Sequence, residues 1–406
     1  MENEKKTNTW SRPRHRVVTE LVRFVLAPYC RLRYGVKVDT FPARKGQGYL
    51  ILMNHTTAFD QFFIGMAFHR TIYYMATEDI FSLGFVSRAL RWLVGPIPIK
   101  KQTVDISAVK TCIRIAREGG TIALAPEGNR SYSGKTEYMN PAIAKLAKKI
   151  GLPIALFRIE GGYGIHPRWS NEVRKGKMRA YVSQVIEPEE YAALSDQELM
   201  DRIQTGLYVD ETQPEGPFLG KNRAQYLERA IYICPKCGLS KWESHGHDMT
   251  CSTCGTTVTY GTDKTITCRD GEFPFTNVND WYEYQRDFIN RMDPGLYAQT
   301  PAFRDRARVS EVIVYSHKNV LRKDAAVSLY GDRVVIDEGT ESELVLSFDD
   351  VSAAACLGKN KLNIYHKKDV YQFKGDDRFN SLKYVNFFFR YKNVARGDEN
   401  GKFLGL

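Results

Sequence analysis

The sequence lacks a hydrophobic run long enough to cross a bilayer, which takes about 18 to 20 uncharged apolar residues. The stretch that comes nearest, YLILMNHTTAFDQFFIGMAF at residues 49–68, is interrupted by polar side chains that include His55 and Asp60. Glu20 and Arg23 make the N-terminal segment unlike a signal peptide. We therefore expect a cytosolic protein, either free or lying on a membrane. Its 8 Cys are accordingly not interpreted as a disulfide framework.

The sequence also lacks internal repeats, low-complexity tracts and the composition of a disordered chain. Of its 406 residues, 43% are hydrophobic and 26% are charged, which is typical of a soluble globular protein. A chain of this length exceeds one ordinary domain, so two or three compact units are expected.

The positive charge is concentrated near the N-terminus. The net charge is +11, and residues 1–45 carry eleven Lys and Arg against four Asp and Glu. In the same region apolar residues recur at helical spacing, namely Val18, Leu21, Val22, Val25 and Leu26. This pattern favours an amphipathic helix on an anionic membrane surface. The other interpretation is a helix that packs its apolar stripe against a core and keeps its basic face in water.

Residues 49–160 alternate short apolar runs with amphipathic segments. Such alternation predicts the α/β class, with a mostly parallel sheet flanked by helices. In sheets of this kind the chemistry usually lies at the carboxyl ends of the strands. His55, Lys100 and Glu127 each follow a strand-like run, which predicts one shared site.

The pattern changes after about Pro188, where charged helical stretches and a cysteine-rich segment precede short alternating strands and a final helix. These strands predict a small β-barrel-like domain of the pleckstrin-homology type, a resemblance of strand pattern only. The predicted organisation is an α/β domain with its N-terminal amphipathic helix (1–205), a helical connector (206–230), a cysteine-rich segment (231–262), a second helical connector (263–308) and a β-rich domain (309–398).

The pair His55 and Asp60 carries the first candidate chemistry. A neutral His can accept a proton from a hydroxyl, and a carboxylate on its other ring nitrogen fixes the tautomer and stabilises the imidazolium. Both residues also have structural interpretations. Thr57 and Asp60 have the spacing of a capping box at the start of a helix, and His55 could be a hydrogen-bonded structural histidine.

Two further stretches, GPIPIKK and APEGNRSYSG, supply residues suited to a phosphorylated alcohol. Lys100, Lys101 and Arg130 are charge-assisted donors for a phosphate. Gly128 allows the backbone to come close to a bound substrate, and Glu127 can accept a hydrogen bond from a substrate hydroxyl. Together these groups predict an acceptor that carries both a phosphate and a free hydroxyl.

In this order and spacing the motifs resemble those of the glycerolipid acyltransferase family, typified by 1-acylglycerol-3-phosphate acyltransferases. The resemblance covers about residues 15–190. Its motifs are Asn-His-x4-Asp at Asn54, His55 and Asp60; Gly-x-Ile-x-Ile at Gly95, Ile97 and Ile99; Pro-Glu-Gly-Asn-Arg-Ser at Pro126–Ser131; and a hydrophobic strand around Pro153. Lys101 stands where the family usually has Arg. Lysine keeps the positive charge but cannot form the two parallel hydrogen bonds that an arginine makes to a phosphate.

The resemblance implies that His55 is the general base and Asp60 its orienting partner. The implied substrate-binding residues are Glu127, Gly128, Asn129, Arg130, Ser131, Lys100 and Lys101. It further implies direct transfer of a fatty acyl group to lysophosphatidic acid, giving phosphatidic acid at the cytoplasmic face of the membrane. The acyl donor would be a co-substrate: a thioester of acyl carrier protein or coenzyme A, or an acyl phosphate. The alternatives are another lysophospholipid or glycerol-phosphate acceptor, or a non-catalytic lipid-binding scaffold.

Four cysteines form two Cys-x2-Cys pairs separated by thirteen residues: Cys234, Cys237, Cys251 and Cys254. This spacing predicts a zinc ribbon whose four thiolates close a tetrahedral structural site. Zinc ribbons often contact nucleic acid or proteins, but this one lacks a dense basic and aromatic surface. We therefore expect a protein or interdomain contact, and no nucleic-acid partner.

Overall fold

The computed structural model describes residues 9–99, 105–269, 271–398 and 403–405. Within these ranges the α-helices are α1 (Pro13–Tyr34), α2 (Asp60–Phe68), α3 (Phe85–Val94), α4 (Ile106–Arg117), α5 (Ala142–Ile150), α6 (Gly162–Ile165), α7 (Pro188–Ala192), α8 (Asp196–Leu207), α9 (Val278–Arg291) and α10 (Leu382–Ala395). The strands are β1 (Val36–Val38), β2 (Leu50–Met53), β3 (Ile72–Thr77), β4 (Ile97–Ile99), β5 (Thr121–Leu124), β6 (Ile154–Glu160), β7 (Met178–Ile186), β8 (Ile233–Cys234), β9 (Gly238–Leu239), β10 (Trp242–His245), β11 (Asp248–Cys251), β12 (Thr257–Tyr260), β13 (Ile266–Cys268), β14 (Phe303–Ile313), β15 (His317–Leu329), β16 (Arg333–Ile336), β17 (Leu344–Ser347), β18 (Val351–Leu357), β19 (Lys361–His366) and β20 (Asp369–Gly375).

The chain divides into two compact units. The N-terminal unit contains the described residues up to Asn129, together with Thr136–Glu160 and Met178–Val209. The C-terminal unit contains Arg130–Lys135, Gly161–Lys177 and the described residues from Asp210 onward. Two short segments of the acyltransferase-like region therefore pack within the C-terminal unit.

The N-terminal unit is built on one sheet in the order β1-β7-β6-β2-β5-β3-β4. Strand β2 pairs in parallel with β5 and β6, and β3 pairs in parallel with β5 and β4, whereas β6 and β7 are antiparallel. Every residue of β2 and β5 is buried, as expected for central parallel strands covered on both faces. The predicted α/β sheet flanked by helices is confirmed.

Helix boundaries in this unit follow the local signals of the sequence. Asp105 caps α4 by accepting the backbone N–H groups of Ser107 and Ala108. Gly151 ends α5 in the left-handed conformation, with φ of 71°, which glycine adopts without a steric penalty. Because β2 and β5 are neighbouring parallel strands, the loops that follow them emerge at the same edge of the sheet. That edge carries His55 and Glu127.

The C-terminal unit contains two antiparallel systems. Strands β10 to β13 form a four-stranded sheet beside the β8–β9 pair. Strands β14 to β20 form a curled seven-stranded sheet in the order β17-β16-β15-β14-β20-β19-β18, with α10 packed on β18. The predicted C-terminal β-rich region with a final helix is therefore present. Of the two predicted helical connectors, 263–308 contains α9, whereas 206–230 contains only the end of α8 and a short 3-10 helix at Leu227–Arg229.

Candidate active site

His55 and Asp60 are in direct contact. The Nδ1 atom of His55 lies 2.8 Å from Oδ2 of Asp60. Because the carboxylate can only accept, this bond assigns the ring proton to Nδ1 and leaves Nε2 as a hydrogen-bond acceptor. The Asp60 side chain is fully buried, whereas that of His55 is about a quarter exposed (26%). The imidazole thus has an oriented, accessible basic nitrogen.

The loop before α2 holds the Asp60 carboxylate through several donors. Its oxygens accept the backbone N–H groups of Thr56 and Thr57, at 2.8 Å and 3.0 Å, and the Thr57 hydroxyl at 2.6 Å. The predicted capping box forms only in part, because α2 begins at Asp60 itself. Thr57 Oγ1 accepts the N–H of Phe59 instead of closing the box. Asp60 therefore organises the loop that carries His55.

Glu127 joins the loop after β5 to the loop after β2. Its Oε1 accepts the backbone N–H of His55 and its Oε2 accepts that of Glu137, both at 2.8 Å. Burial raises the pKa of Glu127 to about 8, although these two N–H groups oppose the rise. Sequence reasoning expected Glu127 to accept from a substrate hydroxyl. In the structure Oε1 holds the backbone of His55, and Oε2 holds the backbone of Glu137.

The turn after Glu127 explains the glycine of the third motif. Gly128 has φ of 65° and its N–H donates to the carbonyl of Ala125 at 3.0 Å. No atom lies within 4 Å of the position a Cβ would take, so the backbone conformation rather than crowding selects glycine. Asn129 follows, half-buried, as the last residue of this segment in the N-terminal unit.

The rest of the third motif lies in the C-terminal unit. Ser131 is buried and its hydroxyl accepts the N–H of Gly134 at 2.9 Å. Arg130 is half-buried, and its carbonyl accepts a bond from Nη1 of Arg168 at 3.1 Å. Of the predicted substrate-binding residues, Glu127, Gly128 and Asn129 therefore belong to the N-terminal unit, and Arg130 and Ser131 belong to the C-terminal unit.

The second motif ends where the described chain is interrupted. Gly95 ends α3 with φ of 55°, and a Cβ there would lie 2.8 Å from Cε1 of His15. Ile97 and Ile99 lie in β4. The predicted phosphate donors Lys100 and Lys101 lie outside the described residues.

Asn54 has a role that motif matching did not predict. Its side-chain amide donates to the carbonyl of Ile159 at 2.9 Å and accepts the N–H of the same residue at 2.8 Å. Asn54 is buried, so the two bonds connect the end of β2 to the end of β6. Its position directly before His55 is the only sequence signal for this contact.

Two cysteines in the N-terminal unit lack the environment of a catalytic nucleophile. Cys30 and Cys112 are both buried, and burial raises the pKa of their thiols to about 11 and about 12. A thiol that stays protonated at neutral pH is a poor nucleophile. Both residues act as small apolar groups.

The four predicted zinc ligands converge in the C-terminal unit. The Sγ atoms of Cys234, Cys237, Cys251 and Cys254 all lie within 4.8 Å of one another, and those of Cys234 and Cys254 are 3.7 Å apart. Tetrahedral zinc with Zn–S bonds of about 2.3 Å places its sulfur atoms about 3.8 Å apart. The cluster therefore fits a structural zinc ion.

Helix α1 presents an apolar stripe to solvent. On one face of the helix Leu21 is 63% exposed, Phe24 is 80% exposed and Leu32 is 88% exposed. The opposite face packs into the unit through Cys30 and Tyr34. Helix α3 contacts α1 and adds exposed aromatic and aliphatic side chains: Phe85, Val86 and Trp92. Among the described residues, no helix is long and apolar enough to cross a membrane.

Comparison with known proteins matches the Acyltransferase family model to residues 36–159. Two curated relatives, both named 1-acyl-sn-glycerol-3-phosphate acyltransferase, are similar to this chain. The protein from Bacillus subtilis (strain 168) is 25% identical over 172 residues, which cover 41% of this chain and 81% of the relative. The protein from Borreliella burgdorferi (strain ATCC 35210 / DSM 4680 / CIP 102532 / B31) is 27% identical over 118 residues, which cover 28% of this chain and about half (47%) of the relative.

A solved structure is also similar to this chain. The crystal structure of the 1-acyl-sn-glycerophosphate (LPA) acyltransferase PlsC from Thermotoga maritima matches with a TM-score of 0.40 and 20% identity, over 47% of this chain and 76% of that chain. The family match and the two sequence relatives identify an acyltransferase core. The protein is an O-acyltransferase, as its motifs implied.

Proposed function

We propose that the protein transfers a fatty acyl group to the free hydroxyl of lysophosphatidic acid and so forms phosphatidic acid. The observation that carries the proposal is the bond between His55 and the buried Asp60, which leaves Nε2 of a partly exposed imidazole free to accept a proton. The names of both sequence relatives support the choice of acceptor. The donor is a thioester or an acyl phosphate.

In the proposed reaction Nε2 of His55 removes the proton of the acceptor hydroxyl as its oxygen attacks the acyl carbonyl. An ester bond forms, and the bond from the carbonyl carbon to sulfur, or to the phosphate oxygen, breaks. The imidazolium returns its proton to the departing thiolate or phosphate. Asp60 stabilises the imidazolium between these two transfers and does not itself take the proton. No acyl-enzyme forms, in keeping with the high thiol pKa values of Cys30 and Cys112.

The acceptor's headgroup is assigned to the cations of the second and third motifs. Arg130, Lys100 and Lys101 supply positive charge for the phosphate, and Gly128 and Asn129 form the turn that precedes Arg130. Because a lysine at position 101 cannot form a bidentate pair with phosphate, another lysophospholipid or a glycerol phosphate is the alternative acceptor.

We also propose that the exposed stripe of α1 lies in the headgroup region of the membrane, with α3 beside it. The stripe combines large apolar side chains with exposed Arg16, Arg31 and Arg33, the composition of an interfacial helix. Deleting the helix would remove the buried Cys30 and Tyr34, so point substitutions are the better test. Phe24→Ser should weaken binding to anionic vesicles, and Leu296→Ser, at an exposed leucine of the C-terminal unit, is the matched control.

The four-cysteine cluster is proposed to hold one structural zinc ion. All four thiolates are used as ligands in such a site, so the ion has no open position and takes no part in catalysis. Its contribution is to the stability of the C-terminal unit, which contains all four cysteines.

The test of the reaction is phosphatidic acid formation by the purified protein from lysophosphatidic acid, assayed with an acyl carrier protein thioester, a coenzyme A thioester and an acyl phosphate in turn. His55→Ala should abolish product, while His245→Ala, at an exposed histidine of β10, should leave it unchanged. If the wild type forms no product with any donor, a panel of other lysolipid headgroups separates the alternative acceptor from the scaffold. Trapping an acylated enzyme in a single turnover would contradict direct transfer.

A further inference from the structure

A cleft of about 860 Å³ opens in the C-terminal unit. It is lined by residues 240–243, by the start of β14, by part of β15 and by the segment that joins β20 to α10. All of its lining residues belong to this one unit. Sites that bind small molecules have volumes of about 300 to 1,000 Å³, so the cleft has the size of a ligand site.

Cations outnumber carboxylates in the lining of this cleft, by eight Lys and Arg side chains to five Asp and Glu. Three of the carboxylates are already paired with cations of the same cleft: Glu228 with Arg378, Asp305 with Lys383, and Asp324 with Arg306. Five cations and two carboxylates of the lining remain. A concave surface with one dominant charge concentrates ions of the opposite charge. The cleft is therefore suited to an anion.

Four cations form a row across neighbouring strands of the C-terminal sheet. Arg308 of β14 lies opposite Lys374 of β20, which in turn lies opposite Lys361 of β19. On the other side of Arg308, β15 has a bulge, where Lys323 and Asp324 together lie opposite this single residue. Residues directly opposite one another share a face of the sheet, and adjacent strands are about 4.8 Å apart. The cationic side chains of the row are therefore close neighbours.

The row has little negative charge to offset it. Lys323, Arg308 and Lys374 all line the cleft and are exposed, and among the described residues none of the three forms an ion pair. Asp324, the carboxylate beside them, is bound by Nε and Nη2 of Arg306 at 3.0 Å and 2.8 Å. Like charges at directly opposite strand positions destabilise a sheet. An anion bound along the row would remove this cost.

We propose that the cleft binds a small ligand with two adjacent phosphate groups, held by Arg308 between Lys323 and Lys374. The planar guanidinium can donate to two phosphate oxygens at once, and the two ammonium groups supply compact positive charge on either side. A diphosphate spreads two or more negative charges over these neighbouring cations, which a single phosphate does less completely. The same chemistry occurs in soluble diphosphates and in lipid headgroups that carry two phosphates. This site is separate from the acyl transfer and does not depend on the acceptor proposed above.

Isothermal titration calorimetry of the full chain with inorganic pyrophosphate tests the proposal. Because charge-assisted hydrogen bonds to phosphate are strong, Arg308→Gln should raise the Kd roughly 10- to 100-fold. Arg396→Gln, at an exposed arginine that does not line the cleft, is the matched control and should leave the Kd unchanged. Thermal midpoints measured in parallel identify any loss of folding. A wild type that does not bind pyrophosphate, or a folded Arg308→Gln that binds it equally well, would overturn the assignment.

Asp324→Asn provides a test of opposite sign. The change removes the carboxylate beside the row and releases Arg306, so pyrophosphate should bind more tightly. We expect the Kd to fall about 2- to 5-fold, the scale of one exposed charge interaction. The Asp324 side chain is 64% exposed, so the substitution leaves the core intact. Structural damage would weaken binding, so a lower Kd supports the role of charge, and an unchanged or higher Kd contradicts it.

Further probes identify the source of the phosphates. Inorganic phosphate should bind more weakly than pyrophosphate, and equal affinities would refute a site for two phosphates. Adenosine diphosphate represents the soluble source, and vesicles of cardiolipin, whose headgroup carries two phosphates, represent the lipid source. The true source is the one that binds more tightly and loses more affinity in Arg308→Gln. A glutamate-rich peptide that binds more tightly than every phosphate probe, and loses affinity in the same variant, would replace this ligand by an acidic protein partner.

Discussion

The substitution Asp60→Asn tests the catalytic pair with little change in volume. In the wild type Oδ2 of Asp60 lies 2.8 Å from both His55 Nδ1 and the Thr56 backbone nitrogen, and Oδ1 lies 2.6 Å from the Thr57 hydroxyl. An asparagine must place an NH₂ group at one of these two positions. At the Oδ2 position the NH₂ group would face three N–H donors, those of His55, Thr56 and Thr57. At the Oδ1 position it would face only the Thr57 N–H, which Oδ2 shares, and it can donate to the Thr57 hydroxyl, which accepts as well as donates.

The amide oxygen should therefore remain opposite His55. The imidazole then keeps its proton on Nδ1, and the variant loses only the negative charge that stabilises the imidazolium. Charge-assisted hydrogen bonds exceed neutral ones by about 1 to 2 kcal/mol, so kcat should fall about 5- to 30-fold. A reversed amide would impose the wrong tautomer, which costs about 10⁴-fold in a serine protease triad.

The assay is kcat with saturating lysophosphatidic acid and acyl donor, together with ¹⁵N NMR of labelled histidine to report the tautomer. Adding Thr57→Val to Asp60→Asn removes the acceptor for the amide NH₂, so the double variant should lose more activity than the two single changes predict. If Asp60→Asn retains full activity, or falls as far as His55→Ala with the Nδ1–H tautomer intact, the reasoning is refuted.

Three other predictions concern stability and metal content. Asn54→Ala removes both bonds to the Ile159 backbone and should lower the free energy of unfolding by about 2 to 4 kcal/mol, measured by urea denaturation. The pKa of Glu127 is about 8 in the folded protein, against an ordinary value of 4.5 in the unfolded chain. Between these pH values the folded state binds the proton more tightly, so the free energy of unfolding should fall as the pH rises. Glu127→Gln should remove this pH dependence. We expect elemental analysis of the wild type to give one zinc per chain. Cys251→Ser should abolish this zinc and lower the thermal midpoint, whereas Cys268→Ser, outside the cluster, should retain the metal.

The parts of the site that sequence predicted well depend on local spacing. His55 and Asp60 are five residues apart in one loop, so their contact needs no information about the rest of the fold. The strand and helix pattern placed His55 and Glu127 at one edge of a parallel sheet, because carboxyl ends of parallel strands share an edge. The pairs of cysteines likewise predicted their cluster from spacing within a short segment.

Periodicity in α1 revealed an amphipathic helix without revealing its environment. The structure buries Cys30 and Tyr34 and exposes Phe24 and Leu32, so apolar residues lie on both the packed and the exposed face. A hydrophobic pattern alone cannot distinguish these faces, since a core and a membrane select the same side chains.

By itself the sequence determined the class of enzyme, the alternating sheet and helix architecture, the histidine and carboxylate pair, and the four-cysteine cluster. Only the tertiary structure decided the use of residues that are distant along the chain. Asn54 contacts Ile159 across 105 positions, and Arg168 reaches Gly358 across 190. Contacts of this kind depend on how strands and turns pack, and residue types give no signal for them until the fold has brought them together.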